Sequence, residues 1–404
     1  MKVAIVCDWL TDVGGAEKVL LKIHKLYPDA PIYTSKYDSK GIDWFEGADV
    51  RTGSLQKFPT WMRRILGPLR QGYFSKLDLS EYDLVISVTG AEAKAVKAPN
   101  GIHISYCHVP TQYYWQMYDE YIKNPGFGIL NPIARLVFRI VVKPLKRADL
   151  KSAQVPDYFV TISDYAKEMI RKYYGRDAVV IHPPVETKDF EVRKGNSGDI
   201  ACPSDTLQGR SGQSLCSEKH VISPEFPFPA EDYYITTSRQ VNWKKVDLAV
   251  KACMMTQRRL LVIGDGSEHK KLVRMAKGTE LIKFLPIMTK HELAFYLQNA
   301  RGYLFPSLEP FGIAPVEALA AGCPVIAYGV GGAKDYVIEG KNGVLFKEQT
   351  AKSLAEAILR FEKMKFSSSK VAKTADGFSE DRFDTELKNF VKKCMKQNEK
   401  KKKE

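Results

Sequence analysis

Two glutamates eight positions apart, Glu309 and Glu317, flank a glycine turn at Gly312. The apolar run Gly302 to Phe305 predicts a strand that ends just before this turn. Pro315 suits the first turn of a following helix, where its missing N–H costs nothing. We therefore expect one carboxylate in the loop and the other on the helix.

Backbone N–H groups at the start of that helix are the second source of chemistry in this stretch. Those near Phe311, Gly312 and Ile313 lie outside the helical hydrogen-bond pattern, at the positive end of the helix dipole. Such a site suits a phosphate together with several hydroxyl groups. A simpler interpretation of Glu317 is that it only complements the dipole or caps the backbone.

A pair of cations follows the first predicted strand of the same half of the chain. Arg239 and Lys244 leave the strand Tyr234 to Thr237 on a short loop, where both positive side chains could reach one diphosphate. Lys245, the next residue, is not assigned this role. Each cation alone could equally be an ordinary surface charge.

Glycines follow two other predicted strands. Gly14 and Gly15 open a helix and would let a phosphate approach its N–H groups, although the sequence is not a GxGxxG fingerprint. Without a further argument they are a plain helix start. Gly264 and Gly266 shape either a pocket for a nucleoside or only a tight turn.

His108 directly follows the predicted strand Ile102 to Tyr106, at the strand end where site residues gather in parallel sheets. A lone histidine is more often structural. Tyr114 and Trp115, a few residues on, could form an apolar wall for a ligand ring or could pack in the core.

Short apolar runs alternate with helical patterns, as in doubly wound parallel sheets. The predicted strands of a first domain are Val3–Cys7, Pro31–Thr34, Leu84–Val88, Ile102–Tyr106, Tyr158–Ile162 and Val179–Ile181. Those of a second are Tyr234–Thr237, Leu260–Ile263, Leu281–Phe284, Gly302–Phe305, Val325–Ala327 and Gly343–Phe346. We expect two facing Rossmann-like α/β domains with the site in the cleft between them. Their bounds are residues 1–182 and 231–375, separated by a linker at 183–230 and followed by a helix and basic tail at 376–404.

The linker contains a Gly- and Ser-rich stretch without periodicity, which predicts a mobile insertion across residues 191–229. Cys202, Cys216 and His220 within it could bind a metal or form a disulfide, but three separated ligands are weak support for either.

A chain of 404 residues fits two domains, and its scattered cysteines, with no signal peptide and no long apolar run, predict a cytoplasmic protein. The net charge of +14 implies an acidic partner, yet no nucleic-acid motif is present. In Lys57 to Lys76, Arg63, Arg64, Arg70 and Lys76 alternate with aromatic and aliphatic residues. This segment suits an anionic membrane surface, or is equally a helix that covers its own core. The basic tail Lys400 to Lys403 is expected to be solvated or disordered.

The stretch FPSLEPFGIAPVEALAAGCPVIAYGVGGAKDYVIEGKNGVLF, which begins at Phe305, resembles the E-x7-E signature of retaining glycosyltransferases of the GT-B fold, family 4 in particular. The run YCHVP around His108 is similar to the corresponding run of bacterial O-antigen and exopolysaccharide mannosyltransferases. Apart from the insertion and the tail, the resemblance covers nearly the whole chain.

The resemblance implies a role for each candidate. Glu309 would hold hydroxyls of the transferred sugar, and Glu317 those of the ribose. Arg239, Lys244 and the amides near Gly312 would stabilise the diphosphate as it leaves. The loop of Gly14 and Gly15 would face the donor phosphates and the acceptor, and His108 would contact the sugar near the reacting carbon. The last helix would cross back to the first domain.

The implied reaction transfers a hexose from a nucleotide sugar with the anomeric configuration retained, with GDP-mannose as the expected donor and UDP-sugars as the alternative. We expect a glycan or polyprenyl-linked saccharide acceptor, peripheral membrane contact, no nucleic acid and no cofactor. No metal is expected, because the cation pair makes one unnecessary.

Other functions fit the same fold less well. A nucleotide-sugar epimerase or a phosphorylase also uses cleft carboxylates or phosphates, but a phosphorylase needs a pyridoxal phosphate lysine and a much longer chain. A dehydrogenase is disfavoured by the missing glycine fingerprint. A non-enzymatic membrane- or polymer-binding protein would show no transfer with any nucleotide sugar.

Overall fold

The computed structural model describes residues 1–60, 62, 66–123, 131–191 and 227–402. Within these residues, the strands form one sheet of seven and one of six, and every neighbouring pair is parallel. The two Rossmann-like sheets expected from the sequence are therefore present.

The first sheet has the order β3-β2-β1-β4-β5-β6-β7. Its strands are β1 (Val3–Cys7), β2 (Ile32–Thr34), β3 (Val50–Thr52), β4 (Leu84–Thr89), β5 (Ile102–Cys107), β6 (Tyr158–Thr161) and β7 (Val179–Val180). Its helices are α1 (Gly15–Leu26), α2 (Gly67–Ser75), α3 (Tyr118–Lys123), α4 (Asn131–Ser152) and α5 (Asp164–Tyr174). Every residue of β4 and β5 is buried, because helices cover both faces of a parallel sheet.

The second sheet has the order β10-β9-β8-β11-β12-β13. Its strands are β8 (Tyr233–Thr237), β9 (Arg259–Ile263), β10 (Ile282–Leu285), β11 (Gly302–Phe305), β12 (Val325–Tyr328) and β13 (Gly343–Phe346). The helices of this half are α6 (Val246–Thr256), α7 (His269–Met275), α8 (Lys290–Gln298), α9 (Ile313–Ala320), α10 (Ala351–Phe361), α11 (Ser368–Lys373) and α12 (Glu380–Lys401).

Helix ends follow local chemistry where the sequence supplies a cap. Ser163 accepts a hydrogen bond from the N–H of Ala166 at the start of α5, and Gly175, with φ of 65°, ends that helix in the left-handed conformation. Thr289 and Glu292 form a capping box at the start of α8. These caps determine where α5 begins and ends and where α8 begins.

Two elements differ from the sequence prediction. Strand β3 was not predicted because it lies at the sheet edge, is largely exposed and contains Arg51, so it lacks an apolar run. Helix α12 extends to Lys401, so Lys400 and Lys401 of the tail that was expected to be solvated or disordered are exposed but helical. Among the described residues, no helix combines the length and the apolar character needed to cross a bilayer.

Helix α12 follows the second sheet in sequence but packs on the first domain. Lys22 on α1 pairs with Glu380 and Asp384 at 3.4 and 3.3 Å, and the rings of Tyr106 and Phe383 lie 6.0 Å apart. The helix therefore ties the two halves together.

The strand orders place a topological switch between β1 and β4 in one sheet and between β8 and β11 in the other. Ligands of such sheets bind at the carboxyl ends of the strands beside the switch. These two edges face each other, because a Cβ added at Gly15 would lie 3.2 Å from Ile313 Cδ1. The loops after the four switch strands therefore meet at one cleft.

Candidate active site at the domain interface

The loop between β11 and α9 carries the first carboxylate. Glu309 Oε1 accepts hydrogen bonds from Lys244 Nζ at 2.6 Å and from Ser307 Oγ at 2.8 Å. Lys244 arrives from the loop after β8, the neighbouring strand across the switch. The structure thus brings a cation and a carboxylate of the sequence motif into direct contact.

Gly312 caps α9 with a φ of 95°, and a Cβ there would lie 2.6 Å from Phe305 Cζ. Only glycine combines that backbone conformation with that space. Helix α9 begins at Ile313, so the first N–H groups of α9 receive no partner from within the helix. Phe311 beside it is buried and accepts a hydrogen bond on its carbonyl from Tyr336 Oη at 2.9 Å.

The Gly331–Gly332 turn supports this loop from behind. Gly331 has a φ of 95°, and a Cβ there would lie 2.5 Å from the carbonyl oxygen of Glu309. The N–H of Gly332 donates to the same carbonyl at 2.9 Å. The turn therefore fixes the backbone that carries the Glu309 carboxylate.

The loop that bears Arg239 and Lys244 is held by a residue that the sequence analysis did not select. Gln240 is fully buried and donates from Nε2 to the Gly264 carbonyl at 2.6 Å. A Cβ at Gly264 would lie 2.2 Å from the Ser238 carbonyl, and φ there is 122°. Glycine is required at position 264 because the two loops touch at that point. Arg239, on the same loop as Gln240, is exposed.

The two loops also touch at Gly266, where a Cβ would lie 2.4 Å from the carbonyl oxygen of Gln240. The role of a tight turn that sequence analysis gave as the alternative is thus fulfilled at both glycines. The same turn borders the loop that carries the cation pair.

Glu317, on α9, lies at one end of a chain of ion pairs that joins the two domains. Lys18 Nζ, on α1, lies 3.3 Å from Glu317 Oε1 and 3.2 Å from Glu186 Oε2. Glu186 is also 2.6 Å from Lys290 Nζ. Burial alone would raise the pKa of Glu186, but the hydrogen bond from Lys290 and the charge of Lys18 lower it.

Lys18 was missed by the sequence analysis. Its N–H donates to the carbonyl of Gly14 at 3.1 Å, so it lies one helical turn beyond the glycine pair and on the same side of α1. That spacing is readable from sequence, but the partner across the cleft is not.

A cavity of about 340 Å³ opens in the first domain beside the contact between α1 and α9. It lies at the carboxyl ends of β1, β4 and β5. Its lining consists of Cys7, Asp8, Trp9, Leu10, Ala16, Glu17, Leu20, Val88, Gly90, His108, Val109, Gln112 and Tyr113. None of these described lining residues is lysine or arginine.

His108 lies in the wall of this cavity. Its Nε2 is out of contact with solvent and has no hydrogen-bond partner among the described residues. Burial lowers the pKa of His108 to about 4, so the imidazole is neutral at pH 7.

Other charged groups of the cavity are bound to the protein itself. The carboxylate of Asp8 accepts hydrogen bonds from the N–H groups of Gly90, Ala91 and Ala93 at 2.9, 3.1 and 2.7 Å, and from Thr89 Oγ1. It therefore closes the turn after β4, which is a structural role.

Aromatic side chains of the cavity rest on a buried ion pair. Arg70 Nε donates to Glu92 Oε2 at 2.9 Å, and Tyr113 Oη donates to Glu92 Oε1 at 2.7 Å. The Arg70 guanidinium lies 4.9 Å from the Trp9 ring centroid. Arg70 is 3% exposed and paired with Glu92, so at this residue the alternative of a segment that covers its own core applies.

Tyr114 and Trp115 do not line the cavity. Tyr114 is buried, and Trp115 stacks on Tyr173 with ring centroids 5.2 Å apart and donates from Nε1 to Asp149 at 2.7 Å. The core-packing alternative therefore applies, while Trp9 and Tyr113 supply the aromatic wall. Cys202, Cys216 and His220, like Arg63 and Arg64, lie outside the described residues.

Residues 219–377 match the family model described as glycosyl transferases group 1. An uncharacterized glycosyltransferase of Methanocaldococcus jannaschii is 29% identical over 196 residues, which span 46% of this chain and 56% of that protein. The chain thus matches about half the length of this relative.

Two further relatives match over longer spans. The alpha-1,3/1,6-mannosyltransferase alg2 of Schizosaccharomyces pombe is 22% identical over 392 residues, 82% of this chain and 68% of that protein. The crystal structure of Anabaena HepE in complex with UDP has a TM-score of 0.66 at 19% identity and covers 97% of this chain and 100% of that one. The predicted GT-B fold is confirmed, and the matches support the glycosyltransferase class.

Proposed function

We propose that this protein transfers a hexose from a nucleotide sugar to a saccharide hydroxyl, with retention of the anomeric configuration. The observation that carries the proposal is the contact between Lys244 and Glu309 beside the N-terminus of α9, at the edge that faces the first domain. A cation, a carboxylate and unpaired amides together suit a diphosphate and a sugar ring.

In the proposed mechanism, the diphosphate takes the place of Glu309 as the partner of Lys244. Arg239, which is exposed on the same loop, would bind the second phosphate. These cations and the amides at Gly312 would stabilise the charge that develops on the leaving oxygen, without a metal ion. Glu309, once released, would accept hydrogen bonds from the sugar hydroxyls, and Glu317 would accept those of the ribose.

The acceptor is proposed to enter the cavity of the first domain. The cavity is lined by aromatic rings, carboxylates and the neutral His108, and these groups favour an uncharged sugar ring over a phosphate. Gly14 and Gly15 lie between this cavity and the proposed donor loop, because Ala16 and Glu17 line the cavity and Gly15 faces Ile313 at the start of α9. A glycan or a polyprenyl-linked saccharide with a neutral terminal sugar fits this chemistry.

GDP-mannose is the proposed donor, supported by the likeness to a mannosyltransferase over 82% of the chain and by the sequence around His108. UDP-sugars are the alternative, supported by the UDP bound in the HepE structure. Membrane-peripheral action in the cytoplasm is part of the same proposal.

Thermal unfolding in the presence of GDP, UDP, GDP-mannose and UDP-glucose tests the donor. A ligand at about 100 times its dissociation constant stabilises the folded protein by about 2.7 kcal/mol, which is a measurable rise in melting temperature. GDP and GDP-mannose are expected to raise it most. If no nucleotide or nucleotide sugar changes the melting temperature, the proposed donor site is wrong.

A further inference from the structure

Helix α4 exposes its apolar residues to solvent rather than to the core. Ile133, Leu136, Val137 and Ile140 have 63%, 60%, 51% and 66% of their surface exposed. Their spacing of three, four and seven positions places them on one face of the helix. An amphipathic helix in a water-soluble domain turns this face inward, so the exposed stripe calls for a partner.

Cations accompany this stripe along its side and beyond its end. Arg139 and Lys143 lie on one side of it, and Arg147 continues the same outward face. Each of the three is exposed. Apolar side chains beside basic ones suit the boundary between the acyl chains and the head groups of an anionic bilayer.

The opposite face of α4 is fixed to the acceptor cavity. Asp149 is 2% exposed, and its carboxylate accepts hydrogen bonds from Thr111 Oγ1 and Trp115 Nε1, both at 2.7 Å, and pairs with Lys94 Nζ at 2.6 Å. Thr111 directly precedes the cavity residues Gln112 and Tyr113. A surface bound by the outer face of α4 is therefore held at a fixed position relative to the cavity.

We propose that the outer face of α4, consisting of Ile133, Leu136, Val137, Ile140, Arg139, Lys143 and Arg147, binds an anionic lipid bilayer. The helix lies in the membrane interface with its apolar stripe among the acyl chains and its cations at the lipid phosphates. This assigns the membrane contact to α4 rather than to the segment Lys57 to Lys76, in which Arg70 is buried.

The exposed apolar stripe could instead bind a second copy of the chain. Pairing two α4 faces would bring the cations of both copies together, which opposes association in a chain of net charge +14. Anionic lipid neutralises the same cations. The binding itself does not depend on the proposed transferase activity, whereas the presentation of a lipid-linked acceptor to the cavity does.

Co-sedimentation with vesicles tests the surface. The full chain is expected to bind vesicles of equal parts phosphatidylglycerol and phosphatidylcholine and not vesicles of phosphatidylcholine alone. Raising the salt from about 0.1 M to about 1 M, which shortens the Debye length from about 10 Å to about 3 Å, is expected to weaken the binding.

Two sets of variants separate the apolar and the charged contributions. Arg139→Gln with Lys143→Gln is expected to lower the partition coefficient by about 30-fold, since each cation near the surface contributes about 1 kcal/mol. Ile133→Ser, Leu136→Ser and Ile140→Ser together are expected to lower it on the order of 10-fold. All five side chains lie on the exposed face, so thermal unfolding is expected to be unchanged.

Matched controls lie on the second domain. Met255→Ser with Ile287→Ser removes apolar side chains that are 59% and 75% exposed, and Lys270→Gln with Lys277→Gln removes two exposed cations. Equal loss of binding in these controls would overturn the assignment to α4, as would unaltered binding by the α4 variants. A wild-type dimer in light scattering that the triple serine variant converts to a monomer, with vesicle binding intact, would make this face a self-association surface instead.

Discussion

The two sides of the cleft use their charged residues in different ways. In the second domain, Lys244 and Glu309 are 20% and 19% exposed and pair with each other. In the first domain, Asp8 and Glu92 are 8% and 2% exposed and are bound to backbone amides or to a buried arginine. One set is within reach of solvent, and the other is part of the core.

The difference in burial separates residues that could bind a ligand from residues that hold the fold. A partly exposed pair contributes less to stability than a fully buried one, so it can exchange partners when an anionic ligand binds. A buried carboxylate that loses its partners leaves several polar groups unsatisfied. Substitutions at the proposed donor site of the second domain (the donor half) are therefore expected to change activity. Substitutions of the buried acids in the first domain, the proposed acceptor half, are expected to change stability.

Removal of the donor cations is expected to have the largest effect. Lys244→Ala or Arg239→Ala should each lower kcat/KM for the nucleotide sugar by about 30- to 1000-fold, which corresponds to about 2 to 4 kcal/mol of lost transition-state stabilisation. The loss arises because the charge on the leaving diphosphate is no longer neutralised. Steady-state transfer kinetics measure it.

Lys245→Ala is the matched control, because Lys245 is the adjacent cation and forms no part of the contact with Glu309. It should change kcat/KM by less than about 3-fold. Full activity of both the Arg239 and the Lys244 variant would contradict the assignment of the donor site.

The acceptor half should respond through stability instead. Asp8→Asn places an amide group against the N–H groups of Gly90, Ala91 and Ala93, which need an acceptor. The free energy of unfolding should fall by about 2 to 3 kcal/mol. Urea denaturation measures this loss.

Glu309→Gln is expected to lower activity with little loss of stability, unlike Asp8→Asn. Its pair is partly exposed, so the free energy of unfolding should change by less than about 1 kcal/mol, while kcat/KM falls by about 10- to 100-fold. A large stability loss here, or an unchanged stability in Asp8→Asn, would remove the distinction between the two halves.

The fold was largely predictable because its strands are buried on both faces and read as continuous apolar runs. Strand β3 escaped prediction, since an edge strand has no such run. The end of α12 was also underestimated, because a run of lysines resembles a solvated tail whether or not it is helical.

The candidate site was predictable where a residue follows a strand closely, as Arg239, Glu309 and His108 do. Lys18 could not be paired with Glu317 from sequence, because their contact depends on how two domains face each other. For Tyr114 and Trp115 the sequence left a cavity wall and core packing open, and it did not select Trp9 or Tyr113, since the direction of each aromatic side chain cannot be read from the sequence.

Asp335, which contacts the first domain from the second, should give a smaller effect on stability that depends on pH. Burial raises the pKa of Asp335 to about 6, and its Oδ2 accepts a hydrogen bond from the N–H of Asp164 at 2.9 Å. Because the folded-state pKa lies above the unfolded one, this group stabilises the fold most at low pH. That contribution is lost as the pH rises from about 4 through about 6.

Asp335→Asn keeps an acceptor for that N–H and removes the charge. Its free energy of unfolding should exceed that of the wild type by about 1 to 2 kcal/mol at pH 7 and should match it near pH 4. His182, whose pKa burial lowers to about 4, lies 3.8 Å from Asp335 and is present in both proteins, so much of its own titration cancels in the difference. A difference that is constant with pH would contradict the raised pKa.

The smallest effect is expected at Lys18, which joins the two halves. Lys18→Met removes the cation between Glu317 and Glu186 but keeps most of the aliphatic side chain. The free energy of unfolding should fall by about 1 kcal/mol or less, because the side chains of this network are partly exposed. Urea denaturation at low salt is the measurement, since salt screens what remains of the pair.

Lys25→Met on the same helix is the control, because Lys25 is exposed and faces no carboxylate of the cleft network. A loss confined to Lys18→Met would show that Glu317 on α9 is stabilised from the opposite domain. Equal losses in both variants would reduce the contact to an ordinary surface pair. In that case Glu317 would belong to the donor half alone, and the two sides of the cleft would be electrostatically independent.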